Sequence, residues 1–378
     1  MRIAFLTNFI PPYRVTFYEK LCRSTRHQVV VVHGHAERDS GRPHHQGDLN
    51  APRVAVRNVE RPLGPVTLRW QAGALAAVRR LNPDAVVLLG MVGSISTWLV
   101  LLWARATGRK VLIWACGWEP QVRGSLPWRL KQHVTGLFFG LAHVGLVYSS
   151  KGKAMLVSAG VPEGLLRICF NGIEIDEALA KEPAVLAQAA ALRASHAPGA
   201  GPVFLYVGGL LPDKRVDLLL DAFRQVLNEV PDARLWLVGD GPSREALHRQ
   251  SAASFSTKVT WFGRIVDGVD AYFAAADVFV LPGIGGLAFN QAMFWRTPCI
   301  GSEADGTEDD LVLDGVTGFR FAPGDQASLV AAMNRAATCP ERASMAEAAR
   351  ALIVGRNNVT EMVETFQHEF DKLSHGRE

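Results

Sequence analysis

The sequence predicts an α/β protein built from two doubly wound parallel sheets. Its 378 residues are enough for two domains of about 150 residues, each with its own hydrophobic core. Short runs of Val, Ile and Leu alternate with stretches of helical periodicity, which is the pattern of parallel sheets joined by right-handed crossovers. Glycine-rich loops follow several strands of the second half, at the position where such folds bind ligands.

In the first half, nearly continuous apolar runs predict strands that are buried on both faces. The strand candidates are RIAFLTNF, HQVVVVHG, DAVVLLG, KVLIWACG and VGLVYSS. Helical spacing predicts helices over Tyr13 to Cys22, Thr67 to Leu81, Ser94 to Thr107 and Pro127 to Leu141. Together these elements predict an N-terminal Rossmann-like domain over residues 1–175.

A second series of strands and helices begins after the turn signal Asn171-Gly172 and an Ala-rich helical stretch. Its strand candidates are PVFLYVGG, RLWLVGDG, VTWFG, DVFVLPG and PCIGS. This series predicts a C-terminal Rossmann-like domain over residues 176–355. Apolar residues at helical spacing predict a last helix within residues 356–378: Val359, Met362, Val363, Phe366 and Phe370.

Cysteine spacing and hydropathy exclude several classes of protein. The five cysteines form no CxxC pair, so neither a zinc ribbon nor a disulfide framework is indicated, and a reducing compartment is expected. The most apolar segment, Ser94 to Ala106, is shorter than the roughly 20 residues that cross a bilayer. The first apolar run ends at Pro11-Pro12 without a cleavage site, which predicts a strand and not a signal peptide. We therefore expect a cytoplasmic protein.

Charge is distributed unevenly along the chain. The first 175 residues contain 22 Lys and Arg against 9 Asp and Glu, a net charge of +13, whereas the remaining residues have a net charge of −9. A basic half indicates an anionic partner such as a phospholipid surface or a diphosphate-linked substrate, or else a solvated basic surface. Nucleic acid is not expected, since the second half is acidic and no basic, aromatic strand face is present.

The first loop of the second half that suits an anion runs from Val207 to Arg215. Gly208 and Gly209 permit close approach of the backbone, and the next helix presents its positive N-terminus. Lys214 and Arg215 add fixed positive charge, so the loop predicts a diphosphate site. The alternative is an ordinary turn with two surface cations.

Three further loops extend this predicted site. Asp240 and Gly241 follow the next strand in the turn GDGP, and Arg264 and Ile265 follow VTWFG, where exposed backbone suits the edge of a nucleobase. The run LPGIGGLAFNQAM then passes from a strand into a helix without a single charge. Bare amides at a helix N-terminus bind phosphate without a charged side chain. The residues assigned to this anion site are Gly283, Gly285, Gly286 and Leu287.

Six motifs of the second half resemble those of retaining nucleotide-sugar glycosyltransferases of family 4, which have the GT-B fold. They are VGGLLPDKRVDLLLDAF, LWLVGDGP, VTWFGRIVDGVDAYFAAADVFVLPG, GGLAFNQAM, TPCIGS and DGVTGF, in the family's order and spacing. The first half is similar less sharply, through RIAFLTNFIPPYR, Tyr148-Ser149-Ser150 and VPEGLLRICFNGI. The resemblance implies two Rossmann-like domains facing a central cleft, with the C-terminal helix packing back on the N-terminal domain.

The resemblance implies roles for some residues of this sequence, whereas other positions lack the residue that the family has. Lys214 matches the family's diphosphate-binding lysine, but the arginine position holds Gly209, so Arg215 or another cation must compensate. The family's two carboxylates, separated by seven residues, are replaced by Gly283 and Gln291. Gln291 still offers an amide to a ribose hydroxyl, without the strength of a charge-assisted bond.

The donor sugar would then be held by other groups of the same region. These are the amides of residues 285–287, or an acid of the run SEADGTEDDL, where an alternative role is a helix cap on a solvated face. The candidate acids are Glu303, Asp305 and Glu308. The resemblance further implies front-face attack without a protein nucleophile or a cofactor, with Lys214 and Arg215 stabilising the leaving diphosphate.

The acceptor side is predicted from fewer residues. Tyr13 and Arg14 follow the first strand and are assigned to the acceptor or to a phosphate, as are Trp118 and Glu119. Cations and aromatic residues from Trp118 to Lys131 suit a bilayer interface. The histidines His33, His35, His44 and His45 allow a metal site, but a polar surface loop is the preferred interpretation, and no metal is expected.

The sequence as a whole therefore predicts a metal-independent, retaining hexosyltransferase. Its expected donor is a nucleotide diphosphate sugar, and its expected acceptor is a glycan linked to a polyprenyl diphosphate, at the inner face of a membrane, in cell-envelope polysaccharide biosynthesis. Two alternatives remain open. One is a non-catalytic GT-B partner that has lost donor chemistry, and the other is a nucleotide-sugar epimerase, which would need an acid and base set in the cleft.

Overall fold

Two parallel sheets organise the chain. The computed structural model describes residues 1–34, 49–63, 66–117, 126–199, 201–252 and 255–375. The chain divides into two units, of which unit 1 comprises Met1–Glu174 and Val359–Glu378, and unit 2 comprises Ile175–Asn358.

Unit 1 contains an eight-stranded sheet in the order β4-β3-β2-β1-β5-β6-β7-β8. Its strands are β1 (Arg2–Thr7), β2 (Gln28–Gly34), β3 (Arg53–Leu63), β4 (Val66–Ala72), β5 (Ala85–Leu89), β6 (Lys110–Ala115), β7 (Val144–Val147) and β8 (Leu166–Ile168). Neighbouring strands are parallel except β3 and β4, which pair antiparallel. The strand order reverses between β1 and β5, so this is the switch point of a doubly wound sheet.

Helices cover both faces of this sheet. Those before residue 160 are α1 (Val15–Ser24), α2 (Ala74–Leu81), α3 (Ile95–Ala106), α4 (Leu126–Gly140) and α5 (Ser150–Ser158). Alternate residues of β1 point to opposite faces, so Phe5 packs with the aromatic side chains of α1, whereas Ala4 and Leu6 pack with α2 and α3. None of the helices in the described part of the chain is long and apolar enough to span a bilayer.

One predicted helix of unit 1 is wrong in its first half. The helix predicted over Thr67 to Leu81 begins only at Ala74, because the preceding residues form β4. Seven residue pairs join β4 to β3 in an antiparallel ladder, from Arg57 opposite Ala72 to Leu63 opposite Val66. This long-range pairing overrides the local helical periodicity.

Unit 2 contains a six-stranded parallel sheet in the order β11-β10-β9-β12-β13-β14. Its strands are β9 (Val203–Val207), β10 (Arg234–Val238), β11 (Val259–Gly263), β12 (Val278–Leu281), β13 (Cys299–Gly301) and β14 (Gly318–Arg320). Numbered within the unit this is the order 3-2-1-4-5-6, so the switch point lies between β9 and β12.

Eight helices of unit 2 are described. They are α6 (Asp176–His196), α7 (Val216–Glu229), α8 (Arg244–Ala252), α9 (Asp270–Ala275), α10 (Ala288–Phe294), α11 (Glu308–Leu311), α12 (Gln326–Thr338) and α13 (Arg342–Gly355). The two pairs of strands beside the switch point, β9 with β10 and β12 with β13, align their carboxyl ends at one edge of the sheet. Loops that leave these strands therefore meet there.

The last helix, α14 (Val359–His375), belongs to unit 1. Phe366 is fully buried, and its ring contacts Phe5, Phe17 and Trp114 at centroid distances of 5.9, 5.3 and 5.3 Å. The sequence placed the boundary before this helix at residue 355, whereas unit 2 extends to Asn358. The difference arises because the Asn358 side chain donates to carbonyl groups of α13.

Candidate functional site

The candidate site lies at the switch point of unit 2, where three loops follow β9, β12 and β13. The loop after β9 ends in a 3-10 turn, Pro212–Lys214, just before α7. The loop after β12 contains the glycine run, and the loop after β13 contains the acidic run. Because the strands are parallel and adjacent, all three loops leave the sheet at the same edge.

Lys214 joins the first two loops. Its Nζ donates to the carbonyl oxygens of Ile284 at 2.7 Å and Gly285 at 3.2 Å, and the Ile284 amide donates to the Asp213 carbonyl at 3.1 Å. Burial lowers the pKa of Lys214, although the nearby carboxylates Asp213 and Asp305 oppose that shift. The ammonium is therefore partly desolvated and already positioned beside the glycine run.

Gly283 has a different role from the one that the sequence suggested. It was expected to clear space for a sugar, but a Cβ at this position would overlap the Asp213 carbonyl oxygen. The same Cβ would lie 2.6 Å from the Lys214 carbonyl carbon. The backbone of the β9 loop therefore occupies this side of Gly283. The residue permits the two loops to pack together, and no side chain, including a carboxylate, fits there.

Gly285 and Gly286 face other surroundings. A Cβ on Gly285 would stand 2.9 Å from Oε1 of Glu308, so this glycine allows the third loop to approach. Gly286 has φ +153° and nothing within 4 Å of a Cβ, which leaves open space. Leu287 directly precedes α10, and Gln291 is half-buried one turn into that helix.

The loop after β13 brings two carboxylates to the same place. Glu308 is fully buried, and its oxygens accept the amides of Asp305 at 3.2 Å and Gly306 at 2.9 Å. Asp305 Oδ1 accepts from the Thr307 amide at 3.0 Å and from the Thr307 hydroxyl at 2.5 Å. Burial raises the pKa of Glu308, and the neighbouring Asp305 charge raises it further.

The loops after β9 and β10 pack closely together at glycine residues. Gly239, which the sequence argument did not assign to the site, has φ +147°, and a Cβ there would overlap the Gly208 carbonyl oxygen. A Cβ on Gly241 would stand 2.5 Å from the Leu210 carbonyl oxygen. The Leu210 amide in turn donates to the Asp240 carbonyl at 3.0 Å. Position directly after a strand was the signal that would have identified Gly239.

Four other predicted donor residues differ in how closely neighbouring groups approach them. Gly209 has room for a side chain, because only Leu211 atoms, 3.7 Å away, approach its Cβ position. Arg264 is exposed and Ile265 half-buried after β11, so their contact with a base stays a prediction. The Asp240 carboxylate accepts the Gly241 amide at 2.8 Å and pairs with Arg244 at 3.3 Å.

The side chain of Arg215 has different contacts from that of the neighbouring Lys214. It adopts φ +53°, in the left-handed region, and its guanidinium forms a two-pronged contact with Asp217 at 3.2 Å. From the sequence, Arg215 was expected to act with Lys214 as a catalytic cation. Of these two cations, Lys214 is the one that donates to the glycine run, at the carbonyls of Ile284 and Gly285.

In unit 1, Arg14 is buried, which the sequence did not predict. It was expected to face a phosphate, but it is only 4% exposed and donates to Asn171 Oδ1 at 2.5 Å. Its guanidinium lies 4.7 Å from the Trp114 ring centroid and 5.8 Å from that of Tyr148. These contacts make Arg14 part of an aromatic core. Its neighbour Tyr13 is 58% exposed and stays a candidate acceptor contact.

Some of the remaining predictions concern residues that the structure does not describe. These residues are Trp118, Glu119 and three of the four histidines considered for a metal site. Within the described ranges, no group of three or more His, Cys, Asp or Glu is arranged to hold a metal ion.

Part of the second half of the chain matches a known protein family. Residues 201–339 match the model of the family described as "Glycosyl transferases group 1". These residues include all three loops of the candidate site. Unit 2 is therefore similar to a group 1 glycosyltransferase domain over these residues. The predicted resemblance to GT-B glycosyltransferases is thereby confirmed.

Curated relatives align with about half of this chain. The sulfoquinovosyl transferase SQD2 of Arabidopsis thaliana is 28% identical over 46% of this chain and 33% of its own length. A GDP-mannose-dependent phosphatidylinositol monomannoside mannosyltransferase of Mycolicibacterium smegmatis is 28% identical over 51% of this chain and 52% of its own length. The chain thus spans between a third and about half of the length of these relatives.

Solved structures are similar over nearly the whole chain. Anabaena HepE in complex with UDP has a TM-score of 0.73 at 18% identity, covering 98% of this chain and 100% of HepE. Sucrose-phosphate synthase from Thermosynechococcus elongatus has a TM-score of 0.72 at 18% identity, with 100% of both chains covered. The predicted fold class, two parallel-sheet α/β domains of the GT-B type, is confirmed.

Proposed function

We propose that the protein is a retaining hexosyltransferase that moves a sugar from a nucleotide diphosphate sugar to a lipid-linked glycan in cell-envelope polysaccharide biosynthesis. The observation that supports this most is Lys214, held beside the bare glycine run at the switch point of a group 1 domain. Similar proteins support the donor class, because HepE has been solved with UDP and with UDP-glucose. The M. smegmatis relative is described as GDP-mannose-dependent.

Catalysis in this proposal is electrostatic. The leaving nucleotide diphosphate gains negative charge as the glycosidic bond breaks, and preorganised donors stabilise that charge. Lys214 supplies the ammonium, and the amides around Gly286 and Leu287 supply uncharged donors. The ammonium exchanges its two carbonyl acceptors for phosphate oxygens when the donor binds. Neither a protein nucleophile nor a metal ion is required.

A membrane-bound acceptor is supported by the surface of unit 1. Along α3, Ile95, Leu99 and Leu102 form an exposed apolar stripe, with exposed fractions of 40%, 48% and 52%. Arg105 follows on the same helix and is exposed. An apolar stripe next to cations is typical of helices that lie at an anionic bilayer surface. We propose that this stripe holds the protein at the inner face of the membrane, close to a polyprenyl diphosphate-linked acceptor.

The test of donor binding is a thermal-shift screen with UDP, GDP, ADP and dTDP, each beside its free nucleoside. Stabilisation by one diphosphate, lost in Lys214→Ala, is the expected result, since a ligand that binds only the folded state raises its stability. Arg215→Ala is the matched control and should retain most of the shift, because Arg215 contacts Asp217 instead of the glycine run. Transfer of labelled sugar from the matching donor then identifies the enzyme.

A non-catalytic GT-B binding partner is the second candidate. It is favoured by Gly283, where the structure leaves no space for a carboxylate, and by the neutral Gln291. Nucleotide binding without donor hydrolysis or transfer, across a panel of acceptors that includes membrane extracts, would support this candidate. The absence of binding to every diphosphate would contradict the transferase and favour this candidate.

A further inference from the structure

The loop after β13 approaches the glycine run closely at Gly285, two residues after the position where the family's carboxylate is replaced by Gly283. Oε1 of Glu308 is 2.9 Å from the Cβ position of Gly285, and Oδ2 of Asp305 is 3.7 Å from it. Gly285 is also the residue whose carbonyl accepts from Lys214. One ammonium and two carboxylates are therefore gathered around a single glycine.

The two carboxylates have different surroundings. Glu308 is fully buried, and each of its oxygens accepts a backbone amide of its own loop. It therefore fixes the shape of the loop from residue 305 to residue 308. Asp305 is half-buried, and Thr307 holds its Oδ1 through two hydrogen bonds. Because Oδ1 is held in this way, Oδ2 is oriented toward the glycine run.

We infer that Asp305 binds hydroxyl groups of the donor sugar and that Glu308 and Thr307 position it. The inference rests on the proposed function, since it assumes that a nucleotide sugar occupies the switch point. It places the acidic group one loop later in the sequence than position 283.

The chemistry of the donor agrees with this assignment. A diphosphate is an anion and is attracted to Lys214, whereas sugar hydroxyls donate hydrogen bonds and prefer a carboxylate acceptor. A hydrogen bond to an ionised acceptor is roughly twice as strong as one between neutral groups. Lys214 Nζ donates to the Gly285 carbonyl at 3.2 Å, and Asp305 Oδ2 lies 3.7 Å from the Cβ position of the same glycine. A diphosphate against Lys214 would therefore bring its sugar next to Asp305.

Asp305→Asn tests the inference, because it keeps the shape of the side chain and its acceptor for Thr307. Affinities are measured by calorimetry for the nucleoside diphosphate selected by the screen and for its sugar conjugates, for example UDP with UDP-glucose or GDP with GDP-mannose. We expect the variant to bind the nucleotide sugar about tenfold more weakly and the diphosphate alone within twofold of the wild type. Asp305→Glu, which keeps the charge but moves the carboxylate, should weaken nucleotide-sugar binding as well.

Asp309→Asn is the matched control, since its carboxylate lies directly after Glu308 in α11 but pairs with Arg320 at 2.9 Å. It should leave both affinities within twofold. Equal losses for the diphosphate and the nucleotide sugar in Asp305→Asn would overturn the inference but leave the proposed function intact. Unchanged nucleotide-sugar binding in both Asp305 variants would overturn it too. A wild-type protein that binds no diphosphate at all would overturn the proposed function, and this inference with it.

Discussion

At the switch points of both units the strand order reverses, but the loops there are held in different ways. In unit 1 the loop after β1 is held by side chains: Asn58 donates to the Asn8 carbonyl at 2.8 Å and Gln71 to the Thr7 carbonyl at 3.0 Å. In unit 2 the loop after β9 is held by glycine packing and by Lys214.

The cations of the two units differ in the same way. Arg14 is surrounded by aromatic rings and is almost fully buried, whereas Lys214 donates to two backbone carbonyl groups beside open space at Gly286. A bound anion can replace a carbonyl acceptor, but it cannot displace an aromatic core. Two sheets that both reverse their strand order therefore present different surroundings at the switch point, because the residues of their loops differ.

The largest expected effect concerns the aromatic core of unit 1. Phe366→Ala should lower the free energy of unfolding by about 3–5 kcal/mol, because it removes a fully buried ring in contact with Phe5, Phe17 and Trp114. Urea denaturation followed by tryptophan fluorescence measures it. Val157→Ala, at an exposed site of α5, should change the value by less than about 0.5 kcal/mol. A loss below about 1 kcal/mol for Phe366→Ala would contradict the packing described.

Arg14 provides the next test of the comparison. Arg14→Lys keeps the charge but removes the planar group that stacks on Trp114, so unfolding should become easier by about 2 kcal/mol. Affinity for a nucleoside diphosphate should stay within twofold of the wild type. Arg23→Lys, at an exposed residue of α1, is the control for stability. A tenfold loss of diphosphate affinity in Arg14→Lys would mean that Arg14 binds the ligand after all.

Gly283 tests the packing of unit 2. Gly283→Ala should destabilise the protein by about 1–3 kcal/mol, because the methyl group overlaps the Asp213 carbonyl oxygen and forces the loops apart. Diphosphate binding should fall with it. Gly209→Ala is the matched control, since its nearest atoms are 3.7 Å away and alanine fits there. Equal stability of the two variants, measured by thermal denaturation, would show that the loops separate easily.

The smallest effect is a pH dependence. Burial lowers the pKa of Lys214, so its ammonium loses its proton at a lower pH than that of an exposed lysine. Because the anion binds the protonated form, diphosphate affinity should decrease as the pH rises toward this lowered pKa, by about tenfold for each pH unit above it. Lys214→Arg should keep its charge and its affinity over the same alkaline range. Calorimetry at several pH values compares the two proteins, and parallel curves would exclude Lys214 as the titrating group.

Much of the fold could be predicted because buried parallel strands are nearly continuous apolar runs. The β3–β4 pair was missed because arginines interrupt the apolar pattern of both strands, which are stabilised by pairing with neighbouring strands. At the candidate site, Lys214 was predictable from its position after a glycine-rich strand end. The burial of Arg14 was not, because Trp114 and Tyr148, which enclose it, are about 100 or more positions away in the sequence. The packing of Gly283 on residues 213–214 was unpredictable for the same reason.

The position of α14 has a consequence for synthesis of the protein on the ribosome. Unit 2 is one continuous segment, Ile175–Asn358, so all of its strands are available before α14 is translated. Translation of unit 1 begins first, but its folding is completed last, because the ring of Phe5 is covered by Phe366 of α14. Until then the nascent chain exposes an aromatic surface, the kind of surface that chaperones bind. Unit 1 should therefore acquire its full resistance to proteases only after α14 has left the ribosomal exit tunnel.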